Sequence, residues 1–212
     1  ISTVLLLLSP GLYLKAQVVY NNGATVSVGS GSTFFVSGDF TNASGSVLNN
    51  SGTLKVTGNT NNQATMIGAT GGTLSFEGST PQSLNGTSDY FATNVVVNNS
   101  AGVTLNARLL VDSVMTFNSG IIHATNISYP VVFKSSSSIS SSPTDASHVN
   151  GYVVKEGTGA FTFPVGDTAR YQPVGVNLSS NTAGMTARYH PSDAGTAPFG
   201  TTGFSSTALL YY

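Results

Sequence analysis

The stretch Ser32-Thr33-Phe34-Phe35-Val36-Ser37-Gly38 returns twice along the chain, at an interval of 20 residues. Its copies are Gly52-Thr53-Leu54-Lys55-Val56-Thr57-Gly58 and Gly72-Thr73-Leu74-Ser75-Phe76-Glu77-Gly78. Each copy has a threonine, two large apolar residues and a closing glycine at the same positions, and the residue between the apolar pair varies. A period of two is typical of a β-strand that buries one face.

A unit of about 20 residues with short strands cannot bury its own apolar face, so neighbouring units must stack. Stacking pairs every strand with its copies in the adjacent coils and adds about 4.8 Å per coil. Later apolar pairs extend the pattern, with a turn at Gly120. We therefore predict an all-β fold, a parallel β-solenoid (β-helix) of five or six coils over residues 17–134, with no helix. Asn42, Asn49–Asn50 and Asn61–Asn62 are the candidates for stacked asparagine ladders.

The regions outside the repeat have their own patterns. Residues 1–16 include an apolar run that is too short to span a bilayer, which needs about 20 residues, and are typical of a signal-peptide remnant. A buried first strand is the alternative. Residues 135–146 form a serine-rich connector. Turn signals every 8–14 residues after Ser147 predict an antiparallel β cap or sandwich over 147–212, cut before its end.

The composition excludes several classes of function. The chain has 212 residues, of which 7% are charged, and seven basic residues against eight acidic ones leave a net charge of −1. Nucleic-acid binding and docking to anionic lipid both need a basic surface, so neither partner is expected. The absence of cysteine excludes disulfides, thiolate catalysis and cysteine-bound zinc.

The residues that could carry chemistry are scattered. Asp39 aligns with Asn59 and Ser79 at the 20-residue interval, so the repeat stacks no pair of carboxylates of the kind that glycoside hydrolysis needs. His123 and His148 lack the spacing of metal ligands, as does His190, and all three are expected on the surface or in turns. We therefore expect no catalytic residue, no cofactor and no metal site, and a protein that is not an enzyme.

Tyrosines provide the candidate ligand contacts. Tyr152, Tyr171 and Tyr189 could stack on sugar rings, and the alternative is that they pack in the core or the cap. The chain has no tryptophan, which makes a dedicated carbohydrate-binding module a weaker hypothesis.

The second half of the chain carries a family resemblance. His148-Val149-Asn150-Gly151, Phe161-Thr162-Phe163-Pro164-Val165-Gly166-Asp167 and Tyr171-Gln172-Pro173-Val174 together resemble a segment of large secreted and surface proteins of Bacteroidetes. The resemblance covers about residues 95–190. It implies adhesin-type proteins exported by the type IX secretion system, located outside the cell or on the outer cell surface. It also implies O-glycosylation at Asp-Ser/Thr motifs, which this chain has at Ser113 and Thr168.

Four hypotheses follow, in decreasing order. The first is a non-catalytic extracellular stalk with a structural or adhesive role. The second is a polysaccharide-binding module, so that an extracellular glycan or cell surface is the partner. An ice-binding solenoid, suggested by Thr33, Thr53 and Thr73, ranks third because the neighbouring row is not threonine. A remnant β-helix polysaccharide lyase ranks last.

Overall fold

The structure, a computed structural model, describes residues 6–7, 13–68, 71–179 and 184–191. Within these ranges it is all-β, without a helix. The strands in chain order are β1 (Leu6–Leu7), β2 (Tyr13–Ala16), β3 (Val19–Asn21), β4 (Thr25–Val28), β5 (Thr33–Val36), β6 (Phe40–Asn42), β7 (Val47–Asn50), β8 (Thr53–Val56), β9 (Thr60–Asn62), β10 (Thr65–Gly68), β11 (Thr73–Gly78), β12 (Gln82–Gly86), β13 (Tyr90–Asn99), β14 (Val103–Leu105), β15 (Leu109–Ser119), β16 (Ile122–Ala124), β17 (Val131–Phe133), β18 (Ser138–Ile139), β19 (Val149–Gly151), β20 (Val153–Lys155), β21 (Gly159–Phe163), β22 (Val165–Gly166), β23 (Val174–Leu178) and β24 (Met185–Ala187).

Successive coils stack these strands into three parallel sheets, which form the walls of a β-solenoid of about six turns. Wall A contains β1, β4, β7 and β10 in spatial order. Wall B runs β2-β5-β8-β11-β13-β15-β17-β20, with β18 also paired to β15 and β24 added antiparallel at the end. Wall C runs from β3 through β6, β9, β12, β14, β16 and β19 to β22. The predicted fold class is confirmed.

The repeated apolar residues stack in two inward columns along wall B. Phe34, Leu54, Leu74, Val95 and Met115 are in register in one column, and each is at most 3% exposed. The second column contains Val36, Val56, Phe76, Val97 and Phe117. Because every coil adds a side chain to the same column, the core continues along the axis instead of closing on itself.

An asparagine ladder lines the inner corner after wall C. Nδ2 of Asn21 donates to Oδ1 of Asn42, and Nδ2 of Asn42 donates to Oδ1 of Asn62, both at 3.0 Å. All three side chains are at most 4% exposed. Of the predicted candidates, Asn42 and Asn62 belong to this ladder, whereas Asn61 points outward and is half-buried. Buried amides of this kind satisfy one another only while the coils stay in register.

Parallel stacking extends beyond both predicted limits of the solenoid. Upstream, β2 lies one repeat before β5 and pairs with it. Residues 13–16 therefore form a strand, which matches the alternative to the signal peptide. Residues 1–5 and 8–12 of the predicted signal peptide lie outside the described residues, and that interpretation stays a prediction. Downstream, β19, β20 and β22 are still parallel, so the boundary at 134 was wrong.

The antiparallel part is correspondingly smaller than predicted. It consists of β21 paired with β23 and of β24 paired with β20, and residues 192–212 of the predicted cap lie outside the described residues. The serine-rich connector is also part of a wall, because β18 aligns Ser138 with Val114 and Ile139 with Met115. The late coils were missed because their lengths vary: Val149 follows its partner Ile122 by 27 residues and precedes Val165 by 16.

Candidate functional site

A groove opens between the serine-rich segment and the antiparallel hairpin. We call it the serine groove and define it by residues 137–143, Ala160, Phe161, Thr162 and Tyr171, which enclose about 540 Å³. Residues 137–143 form one side, and strand β21 contributes the other. Tyr171 contributes the only ionisable side chain in this lining.

The serine side of the groove is fixed to the coil beneath it. Oγ of Ser140 and Oγ1 of Thr116 are 2.6 Å apart. Oγ of Ser141 accepts from the Phe117 backbone N–H at 2.8 Å and donates to its carbonyl at 3.0 Å. These contacts hold the low-complexity run against the wall, and the Ser141 hydroxyl takes the place of strand partners for the Phe117 backbone.

The three predicted stacking tyrosines occupy different environments. Tyr171 lies in the serine groove, half-buried, with its backbone N–H donating to Oδ1 of Asp145 at 2.8 Å. The guanidinium of Arg188 lies 4.8 Å from the Tyr152 ring centroid and donates to the Tyr152 hydroxyl. Tyr189 packs against the apolar core. The structure thus places Tyr171 in a groove but does not assemble a platform from all three.

Behind Tyr171 lies a buried histidine that the sequence analysis placed on the surface. His148 is 0% exposed, and its ring centroid is 6.1 Å from that of Tyr171. Nδ1 contacts the Thr144 carbonyl at 2.9 Å and Nε2 contacts the Asp167 carbonyl at 2.7 Å. The expectation of a surface or turn position was therefore wrong for His148, because segments 144–147 and 167–171 close over it.

A buried lysine holds the turn that leads into the groove, and sequence reasoning missed it. Nζ of Lys155 donates to the carbonyls of Lys134, Ser135 and Ser137 at 2.6–3.0 Å, and lies 5.1 Å from the Phe161 ring centroid. Burial lowers the pKa of Lys155. The sequence did contain a signal for this position. Lys155 lies two residues after Val153, and alternate residues of a strand face the same side.

The two predicted glycosylation positions differ in exposure. Thr168 is exposed at a tight turn, in which the backbone N–H groups of Ala169 and Arg170 donate to Oδ1 of Asp167 and lower its pKa. Ser113 is half-buried in a β-bulge, where the pairing of β13 with β15 skips a residue. Both hydroxyls stay predicted modification sites.

The carboxylates engage separate local partners. Glu77 contacts Lys55, Ser75 and Asn98, whereas Asp89 pairs with Arg108 and Glu156 with Lys134. Oδ1 of Asp39 accepts the backbone N–H of Asn59 at 2.7 Å. Within the described ranges, no three His, Cys, Asp or Glu residues are grouped so that they could hold a metal ion.

The threonine row on the outer face of wall B is in register as predicted. Thr33, Thr53 and Thr73 align directly, and Asn94 follows them in the next coil. The adjacent outward row contains Phe35, Lys55, Ser75 and Val96. The face therefore has one short row of threonines and not the two-row array that an ice-binding surface would use.

Comparison with known proteins gives no relative for this chain: no protein family, no curated protein and no solved structure matches it. The part of the chain that the structure describes contains no apolar helix of membrane-spanning length.

Proposed function

We propose that this chain is a non-catalytic extracellular stalk, with a structural and adhesive role in a secreted or cell-surface bacterial protein. The observation that carries the proposal is the pair of unbroken apolar columns along wall B. A core that continues along one axis makes a stiff, extended body, which is what a spacer between a surface and a distal module requires.

The charge of the chain supports the same role. With 7% charged residues and a net charge of −1, the surface attracts neither polyanions nor polycations over a distance. The described carboxylates of Glu77, Asp89 and Glu156 are each neutralised by a basic partner. The resemblance of the second half to surface proteins of Bacteroidetes supports export by type IX secretion and a location on the outer cell surface.

A bead assay tests the stalk. Beads coated with the full chain should be retained on bacterial cells or extracellular matrix, and small-angle X-ray scattering should give an elongated particle. Beads coated with the Phe76→Asp variant, which places a charge in the core column, should be washed off. A compact particle, or release of reducing ends from a polysaccharide panel, would contradict the proposal.

A polysaccharide-binding module is the second candidate. The serine groove favours it, because the groove combines an aromatic ring with several hydroxyl groups in a concave surface.

A further inference from the structure

We propose that the serine groove binds an uncharged oligosaccharide, with the Tyr171 ring as its stacking surface and the exposed serine hydroxyls as hydrogen-bonding groups. This inference deepens the polysaccharide-binding candidate, and it does not depend on the stalk.

The first argument concerns charge. Serine, isoleucine, proline, alanine, phenylalanine, threonine and tyrosine line the groove, so no carboxylate or basic group is present to pair with a charged ligand. Two other concave surfaces of the described chain differ, because one includes Asp145 and His123 and the other includes Asp89. A neutral, hydroxyl-lined groove is complementary to a ligand that is itself neutral and rich in hydroxyl groups.

The second argument concerns the spacing of the hydroxyls. Ser138, Ser140 and Ser142 alternate along the segment and are exposed, and Thr162 is exposed on the opposite side. These serines follow one another along one side of the groove, so their hydroxyls are spread along it instead of forming a single cluster. Such a spread suits a linear ligand with repeating donors and acceptors.

The third argument concerns rigidity. The Tyr171 backbone is bridged to Gly166 and bonded to Asp145, and its ring packs near the buried His148. On the opposite side of the groove, Ser140 is hydrogen-bonded to Thr116 of the coil beneath, and Ser141 is hydrogen-bonded to the Phe117 backbone of that coil. Groups that are already ordered lose little entropy when a ligand binds, which matters most for a shallow site with few contacts.

The groove exposes little apolar surface, which argues against a protein partner. Phe161 is only 9% exposed because its ring packs against Phe133 and Phe163. Ile139 is half-buried. Protein interfaces rely on buried aromatic and aliphatic anchors, and this groove offers a half-buried tyrosine and a half-buried isoleucine in their place.

The test uses the full chain and defined probes: cellohexaose, xylohexaose, mannohexaose and maltohexaose as uncharged hexasaccharides, and hexagalacturonate as the charged counterpart. Binding is followed by amide chemical shifts and by tyrosine fluorescence, which is usable because the chain has no tryptophan. At least one uncharged probe should shift the amides of residues 138–142. Tyr171→Ala should weaken that binding at least tenfold.

Two further variants keep the test decisive. Tyr20 is 66% exposed and lies outside the groove, so Tyr20→Ala should bind as the unchanged chain does. Ser138→Arg fills the groove from an exposed position and should abolish binding even if Tyr171→Ala proves unstable. The inference is overturned if no uncharged probe shifts these amides, if hexagalacturonate binds more tightly, or if Ser138→Arg binds normally. An elongated particle without groove binding would overturn this inference and leave the stalk intact.

Discussion

In the coils of residues 33–78, wall B and the asparagine ladder place the same kind of buried residue in register from coil to coil, whereas the last coils also bury charged and polar residues that face a residue of another kind. Leucine stacks on leucine and asparagine on asparagine in the first region. In the second region, Val153 still pairs with Val131, but Lys155 pairs with Phe133, and the buried polar groups of Lys155 and His148 contact backbone carbonyls.

This difference shows how the last described coils satisfy their buried polar groups. Repetition satisfies buried polar groups for as long as another copy follows, but within the described residues no parallel copy follows β20 or β22. In these coils, single buried residues with a long side chain, or with polar atoms at two ring positions, contact backbone carbonyls of irregular segments. The chain also adds the antiparallel strands β23 and β24. Substitutions in the two regions should therefore fail in different ways.

Asn42→Ala should give the largest loss. The change removes the donor that Asn42 gives to Oδ1 of Asn62 and to the Thr65 carbonyl, and it removes one of the acceptors of Nδ2 of Asn21. Each buried polar group left unpaired costs about 1–3 kcal/mol, so the free energy of unfolding should fall by about 2–4 kcal/mol in urea titrations. Hydrogen exchange should rise in both neighbouring coils, because the ladder joins three of them.

Asn61→Ala is the matched control for the ladder. Asn61 is half-buried on the outer side of β9, the strand that carries Asn62, and its loss should change the free energy of unfolding by no more than about 0.5 kcal/mol. Equal losses from the two variants would mean that the ladder adds nothing beyond strand propensity, and the contrast between the two regions would lose its basis.

The sequence predicts the repetitive region well because its signal is redundant. One inward column is indicated by three residues at equal spacing, Phe34, Leu54 and Leu74. The wall, the register and the inward face therefore follow from spacing alone. The same reasoning would have included Leu14, which precedes Phe34 by the same 20 residues and pairs with it. An apolar N-terminus is also typical of a signal peptide, and for that reason the predicted solenoid begins only at residue 17.

The terminal region was less predictable for a physical reason. The acceptors of Lys155 are backbone carbonyls in a serine run, and the ring nitrogens of His148 contact the carbonyls of Thr144 and Asp167, so no side-chain pattern encodes either contact. The groove shows the same limit. Residue type singled out Tyr171, but Tyr152 was indistinguishable until its contact with Arg188 was known.

Lys155→Met tests the terminal region, with a smaller expected loss of about 2–3 kcal/mol. Methionine keeps most of the apolar stem but leaves the carbonyls of Ser135 and Ser137 without their charged donor. The loss should be local, so hydrogen exchange should rise at residues 134–137 while the coils of residues 33–78 stay protected.

Lys55→Met is the control for that experiment. The Lys55 side chain is 40% exposed and pairs with Glu77 at 3.0 Å, so its replacement should cost less than about 1 kcal/mol. If Lys155→Met instead raised exchange along the whole chain, the terminal coil would not be an independent unit.

The smallest effect concerns pH and the Glu77 carboxylate on the outer face of wall B. Burial raises the pKa of Glu77, but hydrogen bonds from Asn98, Lys55 and Ser75 outweigh this and hold the pKa below its usual value of 4.5. The carboxylate therefore contributes stability that is fully present above pH 4.5 and is lost as the pH falls through the lowered pKa. Unfolding curves of the unchanged chain should show this loss in acid.

Glu77→Gln should reduce the acid-dependent loss, because its amide does not titrate. The variant should be less stable than the unchanged chain at pH 7, and the two should converge below the pKa of Glu77. Asn98→Ala removes one donor, at 2.7 Å, and should give an intermediate pH dependence. Parallel pH profiles for Glu77→Gln and the unchanged chain would show that the hydrogen bonds to Glu77 do not favour its charged form. The outer face would then add nothing to the repetitive region, whose stability would come from its columns and its ladder alone.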